Sequence, residues 1–506
     1  MTKALMIQGT GSGAGKSLFA AALCRIFRDK GINVAPFKAQ NMALNSAITR
    51  DGGEMGRAQV LQAEAARVEP TTDMNPILLK ASGEMGSQVI IHGKVHSAMK
   101  AQEYYAFRKT AWKAVTESFD RLSQLHELII LEGAGSPAEI NLMDVDIVNM
   151  AAAKYARAPV LLIGDIDKGG VFASLYGTVK LLGRQSALIK GFVINKFRGD
   201  KEILNPGLDM IHKKTGKPVV GVLPYIYDIG LPEEDGLGLG HKSEAGNQMS
   251  ETGQMKIVVV RLKYMSNFTD FDPFAYEPDV ELLYSTNPAE IENADIVIVP
   301  GSKNTIKDLL LLKKRGIDAN IKNAYAKGVQ IIGMCGGYQM LGKKILDPNH
   351  VESSNEAVEG LGLLNIETAF GDKKTTCQVE AELIDGAVIG HNAEVSLFSR
   401  LPGYEIHMGQ SSGDIGLFKL KRFNASADIF LDGSKNNNCW GTYIHGIFES
   451  DLFRRSIINM VRTQKGLSPV NAICSYSAIK EQALDSLAGI VKENVDMKFI
   501  ERLAAL

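Results

Sequence analysis

The chain has 506 residues, 45% of them hydrophobic and 22% charged, which is the composition of a folded globular protein and excludes a disordered one. Its 56 basic and 57 acidic residues leave a formal charge of -1, which argues against a non-specific nucleic-acid binder or a basic membrane-surface protein. A length of this order calls for two to four domains at ~150 residues each, and no apolar run approaches the ~20 residues of a membrane-spanning helix.

Residues 1–3 lack the anatomy of a signal peptide and lead into a strand-like run at 4–8, so a cytosolic location is expected. Next comes Gly9-Thr10-Gly11-Ser12-Gly13-Ala14-Gly15-Lys16-Ser17, followed by a helix-period segment over 18–30. Thr10, Gly11, Gly13 and Gly15 form a loop whose backbone N–H groups can turn inward around phosphate oxygens, and the following helix N-terminus adds positive dipole. Lys16 can neutralise the β- and γ-phosphates, and Ser17 can ligate magnesium. Thr10 stands where the GxxxxGK[ST] pattern wants glycine, with Gly9 and Gly11 flanking that place. The bland alternative is a glycine-rich turn with a chance lysine; the strand before and the helix after favour nucleotide binding.

Further along, Lys38 follows a second strand and is expected close to a transferred phosphoryl group. The apolar run 128–131 ends in Glu132-Gly133-Ala134-Gly135, which puts a carboxylate at a buried strand tip, where a second magnesium contact would sit. Runs at 160–164 and 191–195 continue the series, and Asn195 at the end of the latter can read a nucleotide base or serve structure alone. Strands apolar at nearly every position, alternating with helical segments, predict α/β layers with parallel sheets and ligands at the strands' carboxyl ends. Residues 231–254 break this pattern, being rich in Gly, Glu, Ser and Asn. The expected division is therefore a P-loop domain over 1–235, a linker over 236–255, a second α/β domain over 256–450 and a helical tail over 451–506.

In the second half, strand-like runs lie at 256–261, 296–299 and 329–333. The last enters Gly333-Met334-Cys335-Gly336-Gly337-Tyr338-Gln339, a strand, a sharp turn and a helix with the Gly-x-nucleophile-x-Gly pattern in which sulfur replaces oxygen. Cys335 is one of five cysteines, with Cys24, Cys377, Cys439 and Cys474; none forms a CxxC pair, so neither a disulfide framework nor a zinc site is indicated. A lone cysteine is more often inert core, but this setting favours a nucleophile whose thiolate the helix N-terminus stabilises. Gly301, after the strand 296–299, and the N–H of Gly336 are the expected oxyanion donors. His445 is the best candidate base and His407 its competitor; the bland reading of either is a hydrogen-bonded structural histidine.

The cysteine segment resembles the glutaminase domain of class I glutamine amidotransferases, and the phosphate cradle resembles the dethiobiotin synthetase-like ATPases. In this order they resemble the cobyric acid synthase family over nearly the whole chain. The discriminating stretches are 35–46 (Ala-Pro-Phe-Lys-Ala-Gln-Asn-Met-Ala-Leu-Asn-Ser), 165–172, 195–200 and 403–409. The resemblance implies a dethiobiotin synthetase-like parallel-sheet domain followed by a class I amidotransferase α/β domain. It implies ATP and Mg²⁺, L-glutamine as nitrogen donor, and amidation of the b, d, e and g carboxylates of adenosylcobyrinic acid a,c-diamide; the alternative is a cobyrinic acid a,c-diamide synthase or another glutamine-dependent carboxylate amidase. By the same pattern ATP lies on Thr10, Gly11, Gly13, Gly15, Lys16, Ser17, Lys38 and Asn195, with Ser17 and Glu132 on the metal. Cys335 is the nucleophile, His445 its partner, and Gly301, Gly336 and Gln339 bind glutamine or the oxyanion. Asp144 and Asp146 either orient the substrate or take a proton from ammonia, or are helix-terminal acids. The implied partner is a corrinoid, with no nucleic acid and no membrane; a homo-oligomer is compatible. Most amidotransferases carry Glu two residues after the histidine; Ile447 stands there, so the orienting carboxylate is either absent or supplied elsewhere in the chain.

Overall fold

The structure, a computed structural model, describes residues 2–81, 86–227, 229–232, 254–389, 395–423 and 428–505. It divides into two compact units: one of residues 1–43, 54–231 and 478–506, the other of 44–53 and 232–477. Neither is a single stretch of chain. Residues 236–253 of the expected linker lie outside the described residues. The expected helical tail is shared: the helix Asp451–Gln464 belongs to the second unit and residues 478–506 to the first.

The first unit is built on a parallel sheet whose six strands among the described residues run Val219–Pro224, Ile189–Phe197, Val160–Asp165, Lys3–Gly9, Leu128–Glu132, Val34–Phe37. The two strands beside Lys3–Gly9 are parallel to it, with Ile7 opposite Glu132 and Gly9 opposite Ile163. Residues 128–131 and 160–163 are essentially sealed from solvent, as a sheet covered on both faces requires. The register brings the carboxyl ends of three neighbouring strands together, and those ends carry the Gly9 loop, Glu132 and Asp165. The helices Lys16–Asp29 and Tyr476–Asn494 share the core on one face, where Phe19, Leu23 and Phe27 pack with Leu484, Leu487 and Val491. Arg25, fully buried, donates to both oxygens of Glu481 at 3.0 Å and ties the late helix down.

The second unit has its own mainly parallel sheet, ordered Val280–Ser285, Met255–Val260, Ile296–Val299, Gln330–Met334, Cys439–Thr442, Ser434–Asn436, with only the last strand antiparallel among the described residues. A second sheet is dominated by the long antiparallel pair Ile366–Leu383 and Leu401–Gly413. The helix Asp451–Gln464 buries three arginines, and their charges are met: Arg454 by Glu277 at 2.7 Å, Arg455 and Arg462 by Asp279 at 2.7 and 3.0 Å. Such a cluster is tolerated in a core only when every charge is paired.

Candidate functional sites

In the first unit, the loop after Lys3–Gly9 turns into the helix Lys16–Asp29 at Gly15, whose φ is +95°. A Cβ there would lie 2.1 Å from Asn195 Nδ2, so only glycine lets Asn195 reach in and donate to Ala14 O at 2.9 Å. Asn195 accepts from its neighbour Lys196 N–H, and the Lys196 ammonium spans Gly13 O at 2.8 Å and Asp165 at 2.9 Å. The strand end at 195 therefore braces the cradle from behind. Lys16 folds back over the loop and donates to Gly11 O at 2.9 Å and Gly135 O at 3.4 Å, the carbonyls between which anionic oxygens would take its charge.

Glu132, 1% exposed, collects the rest. Its Oε1 accepts from Ser17 Oγ at 2.8 Å and from Lys38 Nζ at 2.9 Å; its Oε2 accepts from Gln62 at 2.6 Å and Gln59 at 3.3 Å. Thus Ser17, Lys38 and Glu132 meet in one buried cluster. The Ser17 hydroxyl and the Glu132 carboxylate, side by side, are hard oxygen donors of the kind that Mg²⁺ takes. Among the described residues no three or more His, Cys, Asp or Glu form a cage of their own. Gln59 and Gln62 went unnoticed in the sequence because they sit on an otherwise unremarkable helix, Arg57–Ala66.

Asp144 lies in a short 3-10 turn, Met143–Val145, and its backbone oxygen accepts from Arg108. The Asp146 carboxylate takes three backbone N–H groups, those of Val148, Asn149 and Ala151, at 2.8–3.0 Å. That is the geometry of the helix-terminal alternative.

In the second unit the strand Gln330–Met334 delivers Cys335 at φ +50°, ψ -108°, strained for a non-glycine residue, immediately before the helix Gly336–Leu341. A Cβ at Gly337 would fall 1.8 Å from Val299 O, so the helix can press against the neighbouring strand end only with glycine there. Gly336 lies against the Ser302 turn, and the Cβ position of Gly301 is 3.6 Å from His445 Cε1. The sulfur's elbow, the 301–302 turn and the histidine thus converge. Gln339 is in the same pocket with its amide engaged at both ends, accepting from Thr305 Oγ1 at 3.2 Å and donating to Tyr443 at 3.1 Å.

His445 is 1% exposed. Its Nδ1 lies 2.6 Å from Asp270 Oδ2, while the other oxygen of Asp270 accepts from Gly446 N–H at 3.1 Å. With Nδ1–H donated to Asp270, Nε2 is the remaining nitrogen; it is buried and has no hydrogen-bond partner, while the Cys335 thiol donates to Ile406 O at 3.6 Å. Burial works against a charged ring, but the Asp270 charge and hydrogen bond, with a smaller contribution from the Cys335 sulfur, outweigh it and push His445 up to about 10. Where Ile447 offers no carboxylate, Asp270, from the segment Asn267-Phe268-Thr269-Asp270-Phe271, places one against His445 Nδ1. A charged residue between phenylalanines was the available signal: an acid set in apolar sequence is buried, and a buried acid needs a partner.

His407 is engaged differently. Its Nδ1 is 2.7 Å from Gly409 O, its Nε2 3.3 Å from Glu405, and its ring stacks on Tyr443 at 3.8 Å. Glu405 also takes a two-pronged contact from Arg422. Burial pushes the Glu405 carboxyl up, but the hydrogen bonds and charges of His407 and Arg422 prevail and bring it down to about 2. Both ring nitrogens of His407 already face a polar partner, which leaves His445, of the two, as the histidine with an open edge.

Residues 5–237 match the family described as the CobQ/CobB/MinD/ParA nucleotide binding domain, and residues 256–453 match the CobB/CobQ-like glutamine amidotransferase domain. The whole chain is 49% identical to the cobyric acid synthase of Thermodesulfovibrio yellowstonii, with 100% of both chains covered. It is 49% identical to that of a Thermoanaerobacter species over 98% of each chain. Against that of Syntrophobacter fumaroxidans the identity is 46%, over 99% of this chain and 98% of the relative.

Proposed function

This chain belongs to the cobyric acid synthase family, ligases that carry out glutamine-dependent amidation in cobalamin biosynthesis, and from that membership we propose how its two sites divide the work. At the second, Cys335 Sγ attacks the side-chain amide carbon of glutamine. N–H groups at Gly301 and Gly336 receive the oxyanion, and His445 Nε2 gives its proton to the departing ammonia. Water then attacks the thioester, His445 takes the proton, and glutamate leaves as the sulfur is freed. Asp270 keeps the ring in the tautomer and plane this exchange needs, while Gln339 braces the pocket through Thr305 and Tyr443.

At the first site a corrinoid carboxylate oxygen attacks the γ-phosphorus of ATP and ADP departs. Ammonia then attacks the acyl carbon, and phosphate leaves carrying the proton that the nitrogen sheds, so one amide costs one ATP and one glutamine. Thr10, Gly11, Gly13 and Gly15 cradle the phosphates, and Lys16 and Lys38 offset the charge on the transferred group. Ser17 and Glu132 would hold Mg²⁺, which would supply charge neutralisation for the transferred phosphoryl group. Asn195 holds the loop in shape, and Asp146 serves as a helix cap, while Asp144 stays a candidate for orienting the corrinoid. The acceptors are the b, d, e and g carboxylates of adenosylcobyrinic acid a,c-diamide. The reaction so read is cytoplasmic and calls for neither nucleic acid nor membrane.

The observation that supports this most directly is His445 held by Asp270 with its free edge toward an elbow cysteine, in a chain that also carries a phosphate cradle. Mass spectrometry of the corrinoid after incubation with ATP, Mg²⁺ and glutamine tests it. Four successive carboxylate-to-amide changes are expected; a product stopping after two changes on cobyrinic acid would point to the a,c-diamide reaction instead.

A further inference from the structure

The stretch 35–46 is the most distinctive in the sequence, yet the chemistry above uses only Lys38 from it. Its last residues do not stay with the first unit: residues 44–53 belong to the second, with the glutaminase site. There they meet the two residues packed against His445. Asn267 Oδ1 accepts from the Ser46 backbone N–H at 3.3 Å, and the Ser46 carbonyl accepts from Tyr404 Oη at 3.2 Å. Asn267 Nδ2 donates to the same Tyr404 oxygen at 3.1 Å, which closes a ring of three residues. Beside this ring, Asn45 Oδ1 accepts from Phe268 N–H at 3.3 Å, and Ile48 O accepts from Gln378 at 2.9 Å. Ser46, Asn45 and Asn267 are all at most 3% exposed.

Both Asn267 and Tyr404 act on the imidazole. The Tyr404 ring stacks on it, centroids 5.2 Å apart and planes inclined by 17°. The Asn267 amide nitrogen lies 3.4 Å from His445 Nδ1, beside the bond to Asp270. Asn267 itself is held at φ +52°, a left-handed conformation that asparagine tolerates better than most residues. It stands three residues before Asp270, so the peptide that braces Asn267 and Phe268 also sets where the 3-10 turn Phe268–Phe271, which carries Asp270, begins. In this arrangement a peptide from the first fifty residues supports three of the groups around the catalytic histidine.

We propose that the Asn45–Ser46 peptide is a positioning element of the glutaminase, acting through Asn267 and Tyr404 to hold His445 in line with Cys335. The inference rests on the assignment of Cys335 and His445 above. Its functional consequence is that the C-terminal domain does not carry a complete glutaminase by itself; the segment 44–53 is part of the site although it precedes the domain's first strand in the chain by about two hundred residues.

The test uses the full-length chain and three variants: Asn45→Ala, Tyr404→Phe, which keeps the stacked ring and deletes the hydroxyl, and Asn267→Gly, which keeps the left-handed backbone and deletes the amide. Each is assayed for glutamine hydrolysis across pH and for amidation supported by added ammonium. A positioning role predicts that kcat for hydrolysis falls about tenfold to a hundredfold with KM for glutamine little changed. It also predicts a displaced pH profile, with ammonium-supported amidation retained. Unchanged kcat and pH profile in all three would overturn it, as would a loss of hydrolysis and ammonium-supported amidation in equal measure, which is the mark of a folding defect. Cys335→Ala is run beside them: if that variant still hydrolyses glutamine, the nucleophile assignment itself has failed. If it is dead while the three variants match the parent, only the positioning role has failed.

Discussion

Asp270 Oδ2 and His445 Nδ1 stand 2.6 Å apart although 175 residues separate them in the chain. The contact joins the 3-10 turn Phe268–Phe271 to the stretch just after the strand Cys439–Thr442, and both partners are almost fully buried. A carboxylate placed there does two things at once: it selects the tautomer with Nε2 facing Cys335, and it stabilises the charged ring.

Asp270→Asn should therefore lower kcat for glutamine hydrolysis by about 10² to 10⁴, by leaving the ring with the wrong tautomer and no charge partner. Steady-state ammonia release measures this. The same pair makes stability depend on pH. Because the folded value is raised from 6.5 to about 10, its contribution is complete below pH 6.5 and disappears as pH climbs through about 10. The gap in melting temperature between parent and variant should be widest on the acid side of that window and close at its alkaline end.

Cys335→Ala should abolish synthesis from glutamine and spare synthesis from ammonium, since it removes the nitrogen-releasing step alone. Lys16→Ala should damage both, because phosphoryl transfer is needed whatever the nitrogen source. Corrinoid product formation with each donor separates the two. His445→Ala should behave as the cysteine variant does, whereas a variant at His407, whose two nitrogens are already engaged, should keep the nucleophile's chemistry.

Glu132→Gln should cost more than one interaction. Lys38, only 5% exposed in its side chain, would lose the carboxylate 2.9 Å away, and breaking a buried pair in this way costs roughly 3–5 kcal/mol. The change also removes the anionic oxygen proposed for Mg²⁺. Chemical unfolding of the variant and the Mg²⁺ dependence of ATP turnover check the two effects separately; a loss of stability and a higher Mg²⁺ requirement are expected together.

Glu405→Gln probes the cluster around His407. The Glu405 carboxyl is depressed from 4.5 to about 2, so its stabilising contribution is present above pH 4.5 and is lost as pH falls through about 2. The variant should be less stable than the parent by roughly 3 kcal/mol at neutral pH, and the two should converge in strong acid. Unfolding curves at a series of pH values read this directly.

Much of the molecule is decided by short stretches of sequence. Gly9–Ser17 and Gly333–Gly337 announce themselves because each function demands an unusual backbone between a buried strand and a helix, and only particular residues permit it: glycine at 15, where φ is +95°, and glycine at 337, where a Cβ would strike Val299. Local conformation leaves a local signature. The apolar runs at 128–131 and 160–163 mark buried parallel strands for the same reason, since a sheet covered on both faces needs apolar residues at every position.

What only the folded chain decides is which distant groups complete each site. Asp270 for His445, Gln59 and Gln62 for Glu132, Glu405 for Arg422, and the Ser46 peptide for Asn267 come from other elements, and no spacing or periodicity links them to their partners. These pairings follow from burial: once packing removes a charge or an amide from water, it must find its complement among whatever side chains the topology brings near. The division of the chain follows the same logic. A helix near the end of the sequence supplies core to the first unit and a peptide near its start supplies hydrogen bonds to the second, because tertiary packing selects surfaces that fit, whatever their order along the chain.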